Sequence, residues 1–415
     1  MITNRDFLYS IIYILLYGGV FGRYVFGGQS IFLLVDFILL YLMIFAKIPK
    51  NTEHITKYIG NIPQKILGLF LFWGFVSYLF HVVNPLSFLW GFRMEIRYFI
   101  LMLMIYKMFN WKDLIRCYKI FYHAFYLNAF FCMVDFVMGK TGDDMGGIFT
   151  GNSQLSLFFV ISTMVHTGEY IRKKLSKARF AFFFILCYTI AIWAEIKMLY
   201  FVLPFVVYLT HAVIQRFKLS HFIVLCLLGV TAIPIMEFAL SFYYDKEYIE
   251  NTLDTQKLEE YNSNSYGFTD ESMNRGTCIA LTNEYILTTD RLKIMGFGLG
   301  NGSVSEMFST DIYDDYKLTF YYYFAPSYIL VETGWMGLAL FILLYMSILY
   351  SFYRLFINST TSFVRYCSAL GMLMAFLTFL FIYYNPLPYI DYYIPYLFWG
   401  LLLVAIRENR MTLKK

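Results

Sequence analysis

Charged side chains are scarce in this chain of 415 residues: they make up 15% of it, whereas soluble domains carry about a quarter. Hydrophobic residues make up 59%. This composition excludes a soluble enzyme, a coiled coil and a disordered chain. At roughly 20 apolar residues for each bilayer-spanning helix, the apolar content suffices for about twelve spans.

Short segments of alternating polarity, which mark an outer-membrane barrel, are also lacking. The aromatic share of 21% would suit the aromatic girdles of a barrel. The apolar residues instead form unbroken runs, such as SIFLLVDFILLYLMIFA at 30–46. These runs predict an all-α fold, a polytopic membrane helix bundle of about twelve transmembrane helices.

Metal and redox signatures are missing as well. The six cysteines are far apart in sequence, so they indicate neither a disulfide framework nor a thiolate metal site. Residues 243–326 contain no histidine, which argues against a histidine metal site there. No internal repeat supports a transporter made of two similar halves. We therefore expect no metal and no cofactor. We also expect no nucleic-acid partner and no cleavable signal peptide, since no small-residue cleavage site follows the first apolar run.

The distribution of Lys and Arg predicts the membrane topology. Nine apolar segments occupy residues 1–242, a polar stretch covers 243–326, and three apolar segments and a tail cover 327–415. Successive connections lie on opposite sides of the membrane, and those on one side, with the two termini, hold about two thirds of the 33 Lys and Arg. Because the cytoplasmic side collects these residues, we expect both termini in the cytoplasm and one large loop, 243–326, outside.

Carboxylates are predicted at one depth of the bundle. Six of them fall in the outer part of their helices: Asp36, Glu95, Asp135, Glu195, Glu237 and Glu332. Three cations, Arg93, Arg97 and Lys197, fall at the same level. A layer of mixed charge is typical of a polar cavity that opens outward. The alternative is that each charge only reaches the membrane interface from a helix end.

The most specific sequence pattern lies in and after the predicted loop. Arg275 is followed 21 residues later by Gly296, Gly298 and Gly300 in the run GFGLG, and then by SYILVETGWMGLALF from Ser327. Glycines at alternate positions allow a backbone to approach a ligand closely, and their amides could face a phosphate. Alone, such a run is more often an ordinary turn.

Together with the run GIFTGNSQ at 147–154 and with Lys197 after the seventh apolar segment, this pattern resembles the membrane polymerases and ligases of bacterial O-antigen and capsule synthesis. The resemblance implies a multi-pass protein of the bacterial inner membrane with a large periplasmic loop. It implies a glycosyltransferase that acts on undecaprenyl-pyrophosphate-linked glycans, with a chain-length regulator and a flippase as expected partners. The ligase branch has a histidine where this chain has Tyr323 and Phe324, so the polymerase branch is favoured.

The resemblance also suggests roles for residues. Cations must stabilise the departing lipid pyrophosphate, and Arg275 and Lys197 are the first candidates. Arg291, Arg93 and Arg97 are further substrate-binding candidates. Glu195, Asp135 and Glu332 are candidates for the general base that activates the acceptor hydroxyl. The aromatic side chain of Tyr323 could stack on a sugar ring.

Other interpretations remain open at this stage. Arg275 and Arg291 could only neutralise an acidic loop, Lys197 could only pair with Glu195, and Tyr323 could belong to an interfacial aromatic belt. An O-antigen ligase, a lipid-linked oligosaccharide flippase or transporter, and an exporter or signalling receptor are the alternative functions. A flippase usually has short connections, so a long outer loop disfavours it.

Overall fold

The computed structural model describes residues 3–22, 30–46, 53–149, 151–215, 272–305, 308–359 and 361–412, and the isolated positions 223 and 241. Within these ranges the regular elements are helices and no strand occurs. The prediction of an all-α fold is confirmed. The predicted span at 220–242, with Glu237, and the first part of the predicted loop, 243–271, lie outside the described residues except for positions 223 and 241.

The described α-helices are numbered here in chain order. They are α1 (Asn4–Phe21), α2 (Leu33–Phe45), α3 (Thr56–Ile59), α4 (Ile62–Phe80), α5 (Pro85–Met108), α6 (Trp111–Val137), α7 (Asn152–Ile171), α8 (Lys177–Trp193), α9 (Lys197–Gln215), α10 (Cys278–Leu281), α11 (Asp290–Met295), α12 (Asp311–Tyr316), α13 (Ala325–Ile357), α14 (Ser362–Tyr384), α15 (Leu387–Ile390) and α16 (Tyr393–Thr412).

Several of these helices are those of a membrane protein. Five of them, α4, α6, α9, α13 and α14, are long and apolar enough to cross a bilayer, and α2 is a shorter apolar helix. Large apolar side chains such as Phe37, Phe72 and Ile185 are exposed on the outside of the bundle, each by more than 60%. Exposed apolar surface of this extent suits contact with lipid rather than water.

Capping residues explain where the long helices begin. The side chain of Asn84 accepts a hydrogen bond from the amide of Leu86, and Pro85 occupies the first turn of α5. Asn110 and Asp113 form a capping box at the start of α6. The apolar run at 94–109 predicts a span that begins nine residues after the start of α5, because Arg93, Glu95 and Arg97 interrupt the apolar pattern. All three residues lie inside α5.

Helix α13 lies at the centre of the packing. It runs antiparallel to α14 and to α4, and the indole of Trp73 in α4 donates to the carbonyl of Thr333 (3.0 Å). At Gly334 the backbone of α13 leaves helical geometry with φ +64°. An added Cβ there would lie 2.3 Å from the carbonyl oxygen of Ile294, so the break lets the loop segment pack closely.

Helices α5 and α16 run parallel to each other. Near their starts the rings of Tyr98 and Tyr393 meet edge to face with centroids 4.9 Å apart. Near their ends the buried guanidinium of Arg407 donates to the carbonyl of Phe109 (2.5 Å) and to that of Tyr106. These carbonyls close α5, so Arg407 supplies donors that the helix itself lacks.

The segment 272–324 covers one end of the bundle, which we call the loop end. There α4 and α14 finish and α5, α13 and α16 begin. The described part of this segment contains several short helical pieces: α10, the π-turn Thr282–Ile286, α11 and α12. Apolar residues recur at helical intervals in 277–289, which predicts helix there, and the structure forms short helical pieces in this stretch.

Candidate functional site

Two of the predicted site residues, Arg275 and Arg97, contact opposite ends of one connection at the loop end. This connection, 385–392 with the sequence NPLPYIDY, joins α14 to α16. The Nε of Arg275 donates to the carbonyl of Tyr384 just before it (3.0 Å), and its guanidinium lies 4.4 Å from the centroid of that ring. At the other end, Nη2 of Arg97 donates to the carbonyl of Ile390 (2.6 Å). In the sequence, this connection is marked only as a turn, by two prolines between apolar runs.

Two arginines of α5 share one carboxylate of α2. The Nη2 of Arg93 lies 2.6 Å from Oδ2 of Asp36, and Nη1 of Arg97 lies 3.2 Å from the same oxygen. The hydroxyl of Tyr393 donates to the other oxygen of Asp36. We call these four residues the arginine–aspartate cluster. Because Arg93 and Arg97 stand one helical turn apart, both reach the same carboxylate.

Aromatic rings surround the two guanidinium groups of this cluster. Arg93 lies over the ring of Trp90 at 4.0 Å, and Arg97 lies between the rings of Tyr98 and Tyr393 at 4.9 and 4.8 Å. Cation–π contacts of this kind are stronger away from water. Arg97 is only 9% exposed, so its charge is held in an apolar environment.

Each of the two arginines has one buried nitrogen that donates to no acceptor among the described residues. The Nη1 of Arg93 and the Nε of Arg97 are buried and have no hydrogen-bond partner among the described residues. A buried donor without a partner is costly, so such groups commonly mark a place for a ligand or an ordered water. Guanidinium groups bind phosphate oxygens through two parallel bonds, and these donors suit that chemistry.

A narrow pocket adjoins the cluster. It is lined by Phe32, by Gln154 at the start of α7, and by Asp391 and Tyr393 around the start of α16. Gln154 donates to one carboxylate oxygen of Asp391, and the charge of Arg97 acts on the same carboxylate. Gln154 closes the run 147–154 that the sequence analysis identified. Asp391 was missed because it lies in a turn between two apolar runs, with no motif around it.

The glycine run 296–300 is packed between helices. The amides of Phe297 and Gly298 donate to the carbonyls of Val331 and Glu332 (2.8 Å each). An added Cβ at Gly298 would lie 2.5 Å from the Cα of Tyr78. The predicted role of Gly296, Gly298 and Gly300 was to present amides to a phosphate. In the structure two amides of this run donate to carbonyls of α13 instead.

Glu332 lies directly beneath this run. One carboxylate oxygen accepts from the hydroxyl of Ser303 (2.9 Å) and the other from that of Tyr389 (2.5 Å). The backbone amides of Gly300 and Gly302 also face the carboxylate. Glu332 is 1% exposed, so it links α13, α15 and the loop segment from inside the protein. A carboxylate whose oxygens already accept this many bonds within the protein is poorly placed to reach a substrate hydroxyl.

Arg291 and His81 meet at the surface of the loop end. The Nη2 of Arg291 lies 3.3 Å from the Nε2 of His81, and Arg291 is exposed. Burial and the positive charge of Arg291 lower the pKa of His81, so its ring is neutral at pH 7 and Nε2 accepts the bond. The carbonyl of His81 accepts from the side chain of Asn301 (2.8 Å), which joins the end of α4 to the glycine run.

The remaining candidates lie elsewhere at the loop end. Glu195 and Lys197 form the corner between α8 and α9, where Glu195 has a left-handed backbone (φ 50°). Asp135, at the end of α6, is buried; its carboxylate lies 3.4 Å from Nζ of Lys140 and accepts from the amide of Gly147 (3.1 Å). These contacts give Asp135 a role in fixing the turn before α7.

Tyr323 lies on the outer surface of the loop segment. It is 54% exposed and stacks on Phe320 and Tyr322, with ring centroids 5.7 and 4.7 Å away. In the part of the chain that the structure describes, no group of three or more His, Cys, Asp or Glu could hold a metal ion.

No match to this chain is found among known family models, curated proteins or solved structures. The resemblance to the O-antigen and capsule polymerases therefore depends on the motifs of the sequence.

Proposed function

We propose that the chain is a membrane polymerase that joins undecaprenyl-pyrophosphate-linked oligosaccharide units into a surface polysaccharide. The observation that carries this proposal is the arginine–aspartate cluster, because buried charges inside a membrane helix bundle are costly and usually serve a substrate. Two residues of the sequence motifs that resemble such polymerases lie near the cluster without belonging to it. Gln154 contacts Asp391 beside it, and Arg275 contacts the α14–α16 connection.

In this proposal Arg93 and Arg97 bind the pyrophosphate of the donor. The bond that breaks joins the donor sugar to the lipid pyrophosphate, whose negative charge grows in the transition state. The unpartnered Nη1 of Arg93 and Nε of Arg97 supply donors for that charge. This assignment moves the principal cations from Arg275 and Lys197 to the two arginines of α5. Arg275 instead positions the α14–α16 connection through its bond to Tyr384.

Asp391 is the proposed general base. Its carboxylate lines the pocket beside Arg97, and Gln154 orients one of its oxygens. The acceptor hydroxyl attacks the donor sugar and loses its proton to the other oxygen, while the pyrophosphate departs with the electron pair of the broken bond. Glu332 and Asp135 are less suitable because their oxygens already accept bonds within the protein.

The proposal includes a bundle of about twelve spans in the bacterial inner membrane, with both termini in the cytoplasm and the loop end in the periplasm. The charge distribution of the sequence supports this orientation. In the structure, the arginine–aspartate cluster and the segment 272–324 lie at the same end of the bundle. Substrates that reach the outer leaflet would then meet the cluster directly.

A deletion strain tests the class of function. Loss of a polymerase leaves surface glycans one repeat unit long, whereas loss of a flippase leaves none. Glycan length is measured on a gel after extraction. Unchanged glycans in the deletion strain would contradict both functions.

Asp391→Asn is expected to abolish polymer growth when it replaces the wild-type chain in that strain, because the amide cannot take the proton of the acceptor. The amount of membrane-inserted protein should be unchanged. Asp314→Asn is the matched control, since Asp314 is an exposed residue of α12 whose ion pair with Lys317 lies at the surface. A full ladder of polymer from Asp391→Asn would exclude Asp391 as the base without excluding the polymerase.

Labelling of single cysteines tests the orientation. Asp315→Cys, at the loop end, is expected to react with a membrane-impermeant maleimide added to intact cells. Lys174→Cys, at the opposite end, should react only after the membrane is opened. Both positions are exposed, and the described native cysteines are buried. The reverse labelling pattern would show that the loop end faces the cytoplasm.

A further inference from the structure

A second carboxylate lies inside the bundle close to Glu332. Glu95 of α5 is 4% exposed, and its Oε1 is buried without a hydrogen-bond partner in the described part of the chain. Glu332, by contrast, accepts bonds from Ser303 and Tyr389. The two carboxylates therefore have very different surroundings although both are buried.

The backbone of the loop segment joins the two carboxylates. Gly91 stands one helical turn before Glu95 on the same face of α5. An added Cβ on Gly91 would lie 2.6 Å from the amide nitrogen of Gly300, so the two backbones are in contact. The amides of Gly300 and Gly302 in turn face Glu332. Among the neighbouring charged groups, Glu332 has the strongest electrostatic effect on Glu95.

The buried charges at this level do not balance if every carboxylate is ionised. Arg93 and Arg97 compensate Asp36, which they contact, and Asp391, on which the charge of Arg97 acts. Arg97 is the one cation among the charges that act on Glu95 within the described residues, and it is already bound to Asp36. Glu95 and Glu332 would then leave two negative charges without a counter-ion.

The other titratable groups that face Glu95 are phenols. They come from four elements: Tyr98 of α5, Tyr328 and Tyr345 of α13, Tyr389 of α15 and Tyr396 of α16. Phenols are neutral at ordinary pH and add no positive charge. An ionised carboxylate without a cation or donors is far more costly to bury than a protonated one.

We infer that Glu95 and Glu332 form a buried proton-binding site, in which Glu95 holds the proton and Glu332 is the anion. Two buried carboxylates whose charges act on each other do not readily ionise together, because their charges repel. Glu332 is the ionised member because several donors contact its oxygens. Glu95 is the protonated member because its Oε1 has no hydrogen-bond partner among the described residues. In membrane proteins such carboxylates commonly bind or transfer protons.

Infrared difference spectroscopy on the purified protein tests this site. At neutral pH we expect a C=O stretching band of a protonated carboxylic acid that shifts on exchange into D₂O. Glu95→Gln is expected to remove this band. The matched control is Asp135→Asn, which changes another buried acid at the loop end. This variant should retain the band, because the inference assigns the band to Glu95, whereas Asp135 forms an ion pair with Lys140.

Thermal unfolding provides the second measurement. Glu95→Gln should leave the midpoint unchanged within error, because the amide has the shape and neutrality of the protonated acid. A lowered midpoint for Glu95→Gln, or the absence of a protonated carboxyl band in the wild-type protein, would overturn the inference. If Glu95→Gln fails to fold, Glu95→Asp is the second variant, and it should shift the band rather than leave it unchanged. Neither measurement depends on glycan synthesis, so this site and the proposed function can fail separately.

Discussion

Arg97→Ala is expected to destabilise the protein by about 3–5 kcal/mol, because Arg93 alone cannot compensate both Asp36 and Asp391, so one buried carboxylate is left without a counter-ion. Arg97 contributes three contacts at once: to Asp36, to the hydroxyl of Tyr98 and to the carbonyl of Ile390. Its loss would therefore free the end of the α14–α16 connection as well as one donor to Asp36. Thermal or denaturant unfolding of the purified protein in detergent measures the effect.

Two variants serve as controls for this prediction. Arg354→Ala removes an exposed arginine near the end of α13 and should change stability by no more than about 0.5 kcal/mol. Arg97→Lys keeps the charge but cannot make all three contacts, so its stability should be intermediate. If Arg97→Ala were as stable as Arg354→Ala, the arginine–aspartate cluster would have no structural importance, and its proposed place in the site would lose support.

Gly300→Ala is expected to cost about 3 kcal/mol or more, from two separate causes. The backbone of Gly300 has φ +85°, where a residue with a Cβ loses about 1–2 kcal/mol. The added Cβ would also lie 1.8 Å from the carbonyl oxygen of Ser87, and relief of such overpacking costs about 1–3 kcal/mol. The glycine run would then separate from α5. Unfolding midpoints in detergent measure the loss.

Two other glycines separate these causes. Gly60 also has a positive φ, +72°, but an added Cβ would meet nothing within 4 Å, so Gly60→Ala should show the backbone cost alone. Gly68 lies in α4 with open space around it, and Gly68→Ala should stabilise the helix slightly. Equal losses for Gly300→Ala and Gly60→Ala would show that the glycine run is not packed tightly against α5.

The long apolar helices could be predicted from the sequence because their signal is local. A run such as 30–46 needs no partner to be recognised, and α2 lies inside it. The start of α5 was misplaced because Arg93, Glu95 and Arg97 lower the apolar character of its first half. Their charges are tolerated in a helix only because Asp36, Tyr393 and aromatic rings surround the arginines.

The candidate site was predicted only in part, because its geometry depends on residues far apart in the chain. The spacing of Arg275 and the glycines suggested a phosphate cradle, yet two amides of the run donate to α13. Asp391 and Tyr389 carry no motif, and they become notable only through their contacts with Gln154 and Glu332. Contacts between residues so distant in sequence leave no local pattern to detect.

The sequence by itself determined the class of the protein: its scarcity of charge and its unbroken apolar runs require membrane helices, since only such helices satisfy every backbone group in lipid. It also predicted that the acidic side chains of the spans lie in the outer part of their helices. Only the tertiary structure decided which of these charges are compensated. Asp36 is neutralised by two arginines and Glu332 accepts several hydrogen bonds, whereas the Oε1 of Glu95 has no hydrogen-bond partner among the described residues. The reason is physical: the cost of a buried charge is set by the few atoms around it, and those atoms come from helices that only folding brings together.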